Sequence, residues 1–114
     1  MLKHIFELQK KFGEKFTPFD EIQDDPAVQQ EFTLEFIDHT IEELIELRRE
    51  CPIRKDWSSK HDDPPNKERQ LDEYVDALHF FVTIALVNGW SAENVYDAYL
   101  KKNNVNHDRQ KNNY

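Results

Sequence analysis

The residues with the clearest capacity for chemistry are four acids in two pairs. Glu43-Leu-Ile-Glu46 and Glu73-Tyr-Val-Asp76 stand 26 residues apart. Side chains at i and i+3 share one face of a helix, so each pair aims two carboxylates the same way. At about 100° per residue, Glu73 falls in line with Ala77, Phe80, Ile84 and Val87, and Asp76 flanks that stripe. Glu43, Glu46 and Glu50 prolong the line of Phe32 and Phe36 in the same manner. Acids that extend an apolar face are costly unless paired or bound to a metal. Taken singly, an E-x-x-E on a helix is ordinary solvated surface. Two such pairs aligned with apolar stripes on two long helices point to a site. Gathered carboxylates repel, and an all-oxygen donor set suits a hard divalent cation, Mg²⁺ first among them. Glu42 projects away and reads as a surface acid, whereas Glu50 is a candidate fifth ligand or a group supporting the others.

Helices must position these acids. Only two glycines are present, Leu, Glu and Lys are abundant, and no stretch keeps a period of two, so the expected fold is all-α. A first helix is expected from about Leu2 to Phe12, closed by Gly13, then a loop to Asp25 with Phe16 and Phe19 as anchors. Asp25-Pro26, a capping acid before a proline, opens a second helix that Pro52 stops after Cys51. A polar loop containing Trp57 and Pro64-Pro65 leads to a third helix from near Asn66 to Asn88-Gly89. That helix is apolar on nearly every side from Ala77 to Val87, as in the interior of a bundle. Ser91 caps a fourth helix, expected to reach about Asn106 before a polar tail. The expected architecture is a single domain over residues 1–114, four-helix-bundle-like, with the second and third helices antiparallel. The third helix is too apolar for a lone four-helix monomer, which predicts a homodimer.

Composition removes several function classes. A formal net charge of -8 argues against a general nucleic-acid or anionic-membrane binder. One cysteine, Cys51, excludes an internal disulfide framework and suits a reducing compartment. No signal-peptide core opens the sequence and no charge-free run approaches the ~20 residues of a membrane span, so a cytoplasmic location is expected. No glycine-rich phosphate loop is present. The local exception to the acidity lies beyond Leu100, where Lys101, Lys102, Arg109 and Lys111 face one acid, Asp108. Lys and Arg bind phosphate oxygens as a point charge and a planar fork, and Asn103 and Asn106 can add donors for phosphate or base edges.

Together these residues resemble the dimeric dUTPases, a branch of the all-α nucleoside triphosphate pyrophosphatases. Glu43/Glu46 and Glu73/Asp76 match the superfamily's E-x-x-E, spacer, E-x-x-D signature. Asp76-Ala-Leu-His79-Phe80 is similar to the branch's D-x-L-H-F extension, and Lys55-Asp-Trp57 to its K-x-W segment. Tyr99-x-x-Lys102-Asn103-x-x-Asn106-x-x-Arg109-Gln110 followed by Tyr114 resembles its C-terminal motif, and Gln9 its uracil-side glutamine. The chain departs from the pattern at Gly13, where the family carries Asn, at Asn113 in place of a glycine, and in a compact loop between the acidic helices.

The resemblance implies Mg²⁺-dependent hydrolysis of dUTP to dUMP and pyrophosphate by water, with no covalent enzyme intermediate, and makes dUDP a plausible second substrate. Glu43, Glu46, Glu73 and Asp76 would be the metal ligands, with Glu46 (or Glu43) activating the water. Lys102, Arg109 and Lys55 would hold phosphates; Gln9, Asn103 and Asn106 would contact base or sugar; His79, Phe80 and Trp57 would wall the pocket. Two other readings fit the same residues. The machinery could serve dCTP or a broader set of triphosphates, which the Gly13 departure favours. Alternatively, the chain is a non-catalytic helical interaction module with an acidic surface.

Overall fold

The computed structural model describes residues 1–51 and 64–112, so Lys55, Trp57 and Tyr114 lie outside the described residues. Five helices follow one another: α1 (Leu2–Gly13), α2 (Phe19–Gln23), α3 (Pro26–Arg49), α4 (Lys67–Val87) and α5 (Ala92–Lys111), with no strand among the described residues. The starts follow local chemistry. The Asp25 carboxylate accepts from the backbone N–H groups of Ala27 and Val28, with Pro26 at the first position of α3. Asn66 accepts from the Arg69 N–H to open α4, and Ser91 and Asn94 cap α5 reciprocally.

Three features differ from the sequence expectation. The segment between Gly13 and Asp25 is not all loop, because α2 forms within it. Asp20 and Glu21 favour its N-terminus, and Phe19 and Ile22, three apart, are both 2 % exposed. Phe16, expected as an anchor, is instead exposed. Gly13 is the last residue of α1, as expected, but the chain leaves it without a left-handed turn, Glu14 keeping φ at -58°. It is small because a Cβ there would come within 2.8 Å of the Phe19 ring. Finally, α5 runs on to Lys111; Arg109 and Lys111 in its last turn complement the helix dipole, so polarity alone does not end it.

α3 and α4 form an antiparallel pair clamped at both ends. At one end Gln29 Nε2 donates to Val87 O (3.1 Å) and Asn88 Nδ2 to Thr33 Oγ1 (3.0 Å). At the other, Gln70 Nε2 donates to Glu50 O at 3.0 Å. The C-terminus of α4 is closed with unusual completeness. Its last carbonyls, unpaired by the helix itself, take Gln23 Nε2 at Leu86 (3.2 Å), Gln29 at Val87 and Asn88 Nδ2 at Ile84 (2.7 Å). Gly89, at φ 71°, lets its own N–H reach Leu86 O and the Trp90 N–H reach Ala85 O, a Schellman cap.

The core gathers there, from Phe6, Phe19, Ile22, Val82, Ala85, Leu86, Val87 and Ala92. Within one chain the burial of α4 is one-ended and one-sided: Val87 is 0 % exposed and Phe81 62 %. Leu34, Ile41 and Leu44 on α3 and Leu71 and Tyr74 on α4 are likewise exposed. The axis of α5 leaves that of α4 at 102°, and α5 meets the rest of the chain through its first turns, where Ala92 and Val95 join the core beside α1. The radius of gyration is accordingly 18.2 Å, against about 13 Å for a compact chain of this length. No single helix among the described residues is long and apolar enough to cross a membrane.

The cap at Gly89 yields a direct test. A Cβ there would require a strained left-handed backbone and would meet Gln23 Oε1 at 2.9 Å. Gly89→Ala is expected to destabilise the chain by about 1–2 kcal/mol, read as a lowered urea midpoint with an unchanged slope.

Candidate metal centre

The clamp between α3 and α4 sets the register of the acids. Glu43 from α3 and Glu73 and Asp76 from α4 each offer a carboxylate oxygen, all within 4.8 Å of one another. Glu43 and Glu73 are half-buried and Asp76 is exposed, so the group opens on one side. Glu73 shows the electrostatic cost. Loss of hydration is the largest cause raising its pKa above the ordinary carboxylate range; the charges of Asp76 and Glu43, a hydrogen bond with Glu43 and the charge of Glu46 raise it further. A hydrogen bond between two carboxyl groups requires a proton on one of them. A hard divalent cation replaces that proton with more charge and takes oxygen donors only. The donor set therefore fits a hard divalent cation, the class to which the expected Mg²⁺ belongs.

Glu46 stands slightly apart. Its carboxylate accepts from Arg49 Nη1 at 2.9 Å, yet it lies near enough to contribute to the Glu73 shift. Glu50 ends α3, its carbonyl held by Gln70, and Glu42 lies 3.6 Å from the His39 ring. Phe80 stacks on Phe36 (6.2 Å between centroids) and on His39 (5.1 Å), so α3 already occupies part of its ring surface. His79 points to solvent, but its carbonyl accepts from Thr83 Oγ1 at 2.8 Å.

Gln9 is brought to the same side of α4. Its Nε2 donates to Thr83 Oγ1 at 3.2 Å. Thr83 follows Asp76 by seven residues, two turns on, which places it ~10.5 Å along one face. The acids, Phe80 and the Gln9 amide thus form one line. Sequence reading overlooked Thr83; the available signal was a hydroxyl at that heptad spacing within an otherwise apolar run.

Lys102, Asn103, Asn106 and Arg109 are not brought to this line. All are exposed on α5. Counting ~1.5 Å per residue along both helices and applying the bend of 102°, Lys102 lies ~20 Å and Arg109 ~30 Å from Asp76. An apolar notch of about 520 Å³ between α4 and α5, lined by Phe81, Ile84, Trp90 and Val95, is likewise separate from the acids.

The Glu73 shift fixes the sign of a pH effect. A carboxyl whose pKa rises on folding binds more protons folded than unfolded, so ionising it costs stability as pH rises. In EDTA, Glu73→Gln is expected to melt above the wild type at pH 7. The gap should close as pH falls below the ordinary carboxylate range near ~4, measured by thermal melts across that range.

Comparison with known proteins extends this picture. A sequence profile of the family described as dUTPase matches residues 1–89 and 81–114, which together span the chain. Searches of curated proteins and of solved structures gave no match. The profile covers both acidic pairs, the α1 glutamine and the basic C-terminal helix on an all-α framework. The chain belongs to the dUTPase family of nucleotide-hydrolysing enzymes.

Proposed function

We propose that this single-domain chain is a Mg²⁺-dependent dUTP diphosphatase, converting dUTP to dUMP and pyrophosphate in the cytoplasm. The observation that carries this reading is the line along α4. Carboxylates for a metal-bound phosphate group stand at one end and the Gln9 amide at the other, two helical turns away. That separation suits a nucleotide, with its phosphates at the acids, its sugar beside Phe80 and its base at Gln9.

A divalent ion held by Glu43, Glu73 and Asp76, with Glu46 beside them, would neutralise triphosphate charge and make water more acidic. Glu46 takes the proton of the attacking water as general base. Its exposed contact with Arg49 is of a kind worth little, so the carboxylate is free to turn. Water oxygen joins phosphorus, the bridge between the first and second phosphates breaks, and pyrophosphate leaves. One observation favours a broader set of bases. The Phe19 ring fills the space beside Gly13, so this position cannot supply the family's second amide, and dCTP remains the runner-up substrate.

The same reading makes the working unit a homodimer. The exposed apolar residues on α3 and α4 want a cover, and α5 carries Lys102 and Arg109 farther from their own acids than a triphosphate reaches. In a two-fold dimer those groups would serve the partner's site, with Asn103 and Asn106 beside them.

Three experiments test this. Ion-exchange analysis of products from each nucleoside triphosphate, with Mg²⁺ or EDTA, should show Mg²⁺-dependent dUMP and pyrophosphate from dUTP. Glu46→Gln should lose turnover by at least about 100-fold while still binding dUTP; turnover at the wild-type rate would remove Glu46 from the role of base. Separately, Glu46→Gln and Lys102→Ala homodimers should both be impaired. Dissociated and re-associated together in equal amounts, they should regain about a quarter of wild-type activity, because half the dimers then hold one intact site. Sites built within one chain would regain nothing.

A further inference from the structure

Resting on the reading of the α4 face as a nucleotide site, we propose that Thr83 is the residue that sets base choice, by locking the amide of Gln9 in one orientation. Thr83 is a positioning residue: it is 3 % exposed and meets Gln9 through its hydroxyl. Its hydroxyl has one proton, and that proton is donated to His79 O at 2.8 Å. Toward Gln9 the oxygen therefore offers only lone pairs, and it must be met by the Gln9 N–H₂ group, as it is at 3.2 Å. The carbonyl oxygen of Gln9 then faces outward as an acceptor, with the second N–H beside it as a donor.

This outward pair discriminates pyrimidines. Uracil offers N3–H as a donor beside O4 as an acceptor, the complement of an outward carbonyl and N–H. In the same ring pose cytosine offers N3 as an acceptor beside an N4 amino group, the reverse pattern. Pairing with cytosine would require the Gln9 amide to flip. A flipped amide would set its oxygen against the Thr83 oxygen and lose that hydrogen bond, unless Thr83 gave up its bond to His79. Gly13, one turn from Gln9, adds no second amide, since it has no room for a side chain beside the Phe19 ring. The choice between uracil and cytosine thus passes through one buried hydroxyl.

The test is the ratio of kcat/KM for dUTP to that for dCTP in the wild type, Thr83→Val, Thr83→Ala and Thr83→Ser. Valine preserves shape and alanine cannot overfill the site, so at least one variant without the hydroxyl is expected to fold; melts without ligand identify it. The wild type should prefer dUTP. Removing the hydroxyl should lower that preference about tenfold, the worth of one hydrogen bond, and Thr83→Ser should restore it. A folded Val or Ala variant with the wild-type ratio, or a wild type with no preference for dUTP over dCTP, overturns the inference while leaving the hydrolase reading intact. A wild type that cleaves neither nucleotide overturns that reading, and the inference with it.

Discussion

Three carboxylates within 4.8 Å of one another repel unless a proton or a cation stands between them, and the chemistry of this fold depends on tolerating that repulsion. The raised pKa of Glu73 is its direct expression. Two acids on α4 alone would rotate outward into water. Glu43 meets them because α3 is held antiparallel to α4 by side-chain amides at both ends, Gln29 and Asn88 at one and Gln70 at the other. The clamp turns two ordinary i,i+3 acid pairs into a place where a cation is favoured.

The molecule separates the parts that stabilise from the parts that react. Buried side chains concentrate at the C-terminal end of α4, around Val87, Ile22 and Phe19, where amides close the carbonyls and Gly89 closes the backbone. The acids occupy the other half of the same helix, away from that core. Strain from like charges is thus absorbed by a helix whose far end is firmly fixed. The exposed faces of α3 and α4 and the projecting α5 complete the division: α3 and α4 present the acids, and α5 carries the basic groups away from them.

Much of this was legible in the sequence, for reasons that are local. Asp25-Pro26, Asn66, Ser91 and Gly89 mark helix ends through backbone chemistry that needs no distant partner, and each acts in the expected way. The acids announced themselves by aligning with apolar stripes. What stayed hidden depends on tertiary placement. α2 exists because Phe19 and Ile22 find the core, although Pro18 and a short polar span read as loop. Gly13 does close α1 as expected, but the sequence did not show that it also leaves a gap for the Phe19 ring. The link from Gln9 to Thr83 joins residues 74 apart, and no periodicity predicts it. The outward course of α5 follows from the angle at one turn, which sequence patterns do not encode.

The most direct test of the central claim is calorimetric melting of metal-free protein titrated with Mg²⁺, comparing the wild type with Glu73→Gln. If the clustered acids form a cation site, the wild-type midpoint rises with the logarithm of Mg²⁺ once its dissociation constant is exceeded, and the variant, lacking one ligand charge, responds far less. Parallel, shallow responses of the two proteins would mean that the acids form only a charged surface, and would contradict the account.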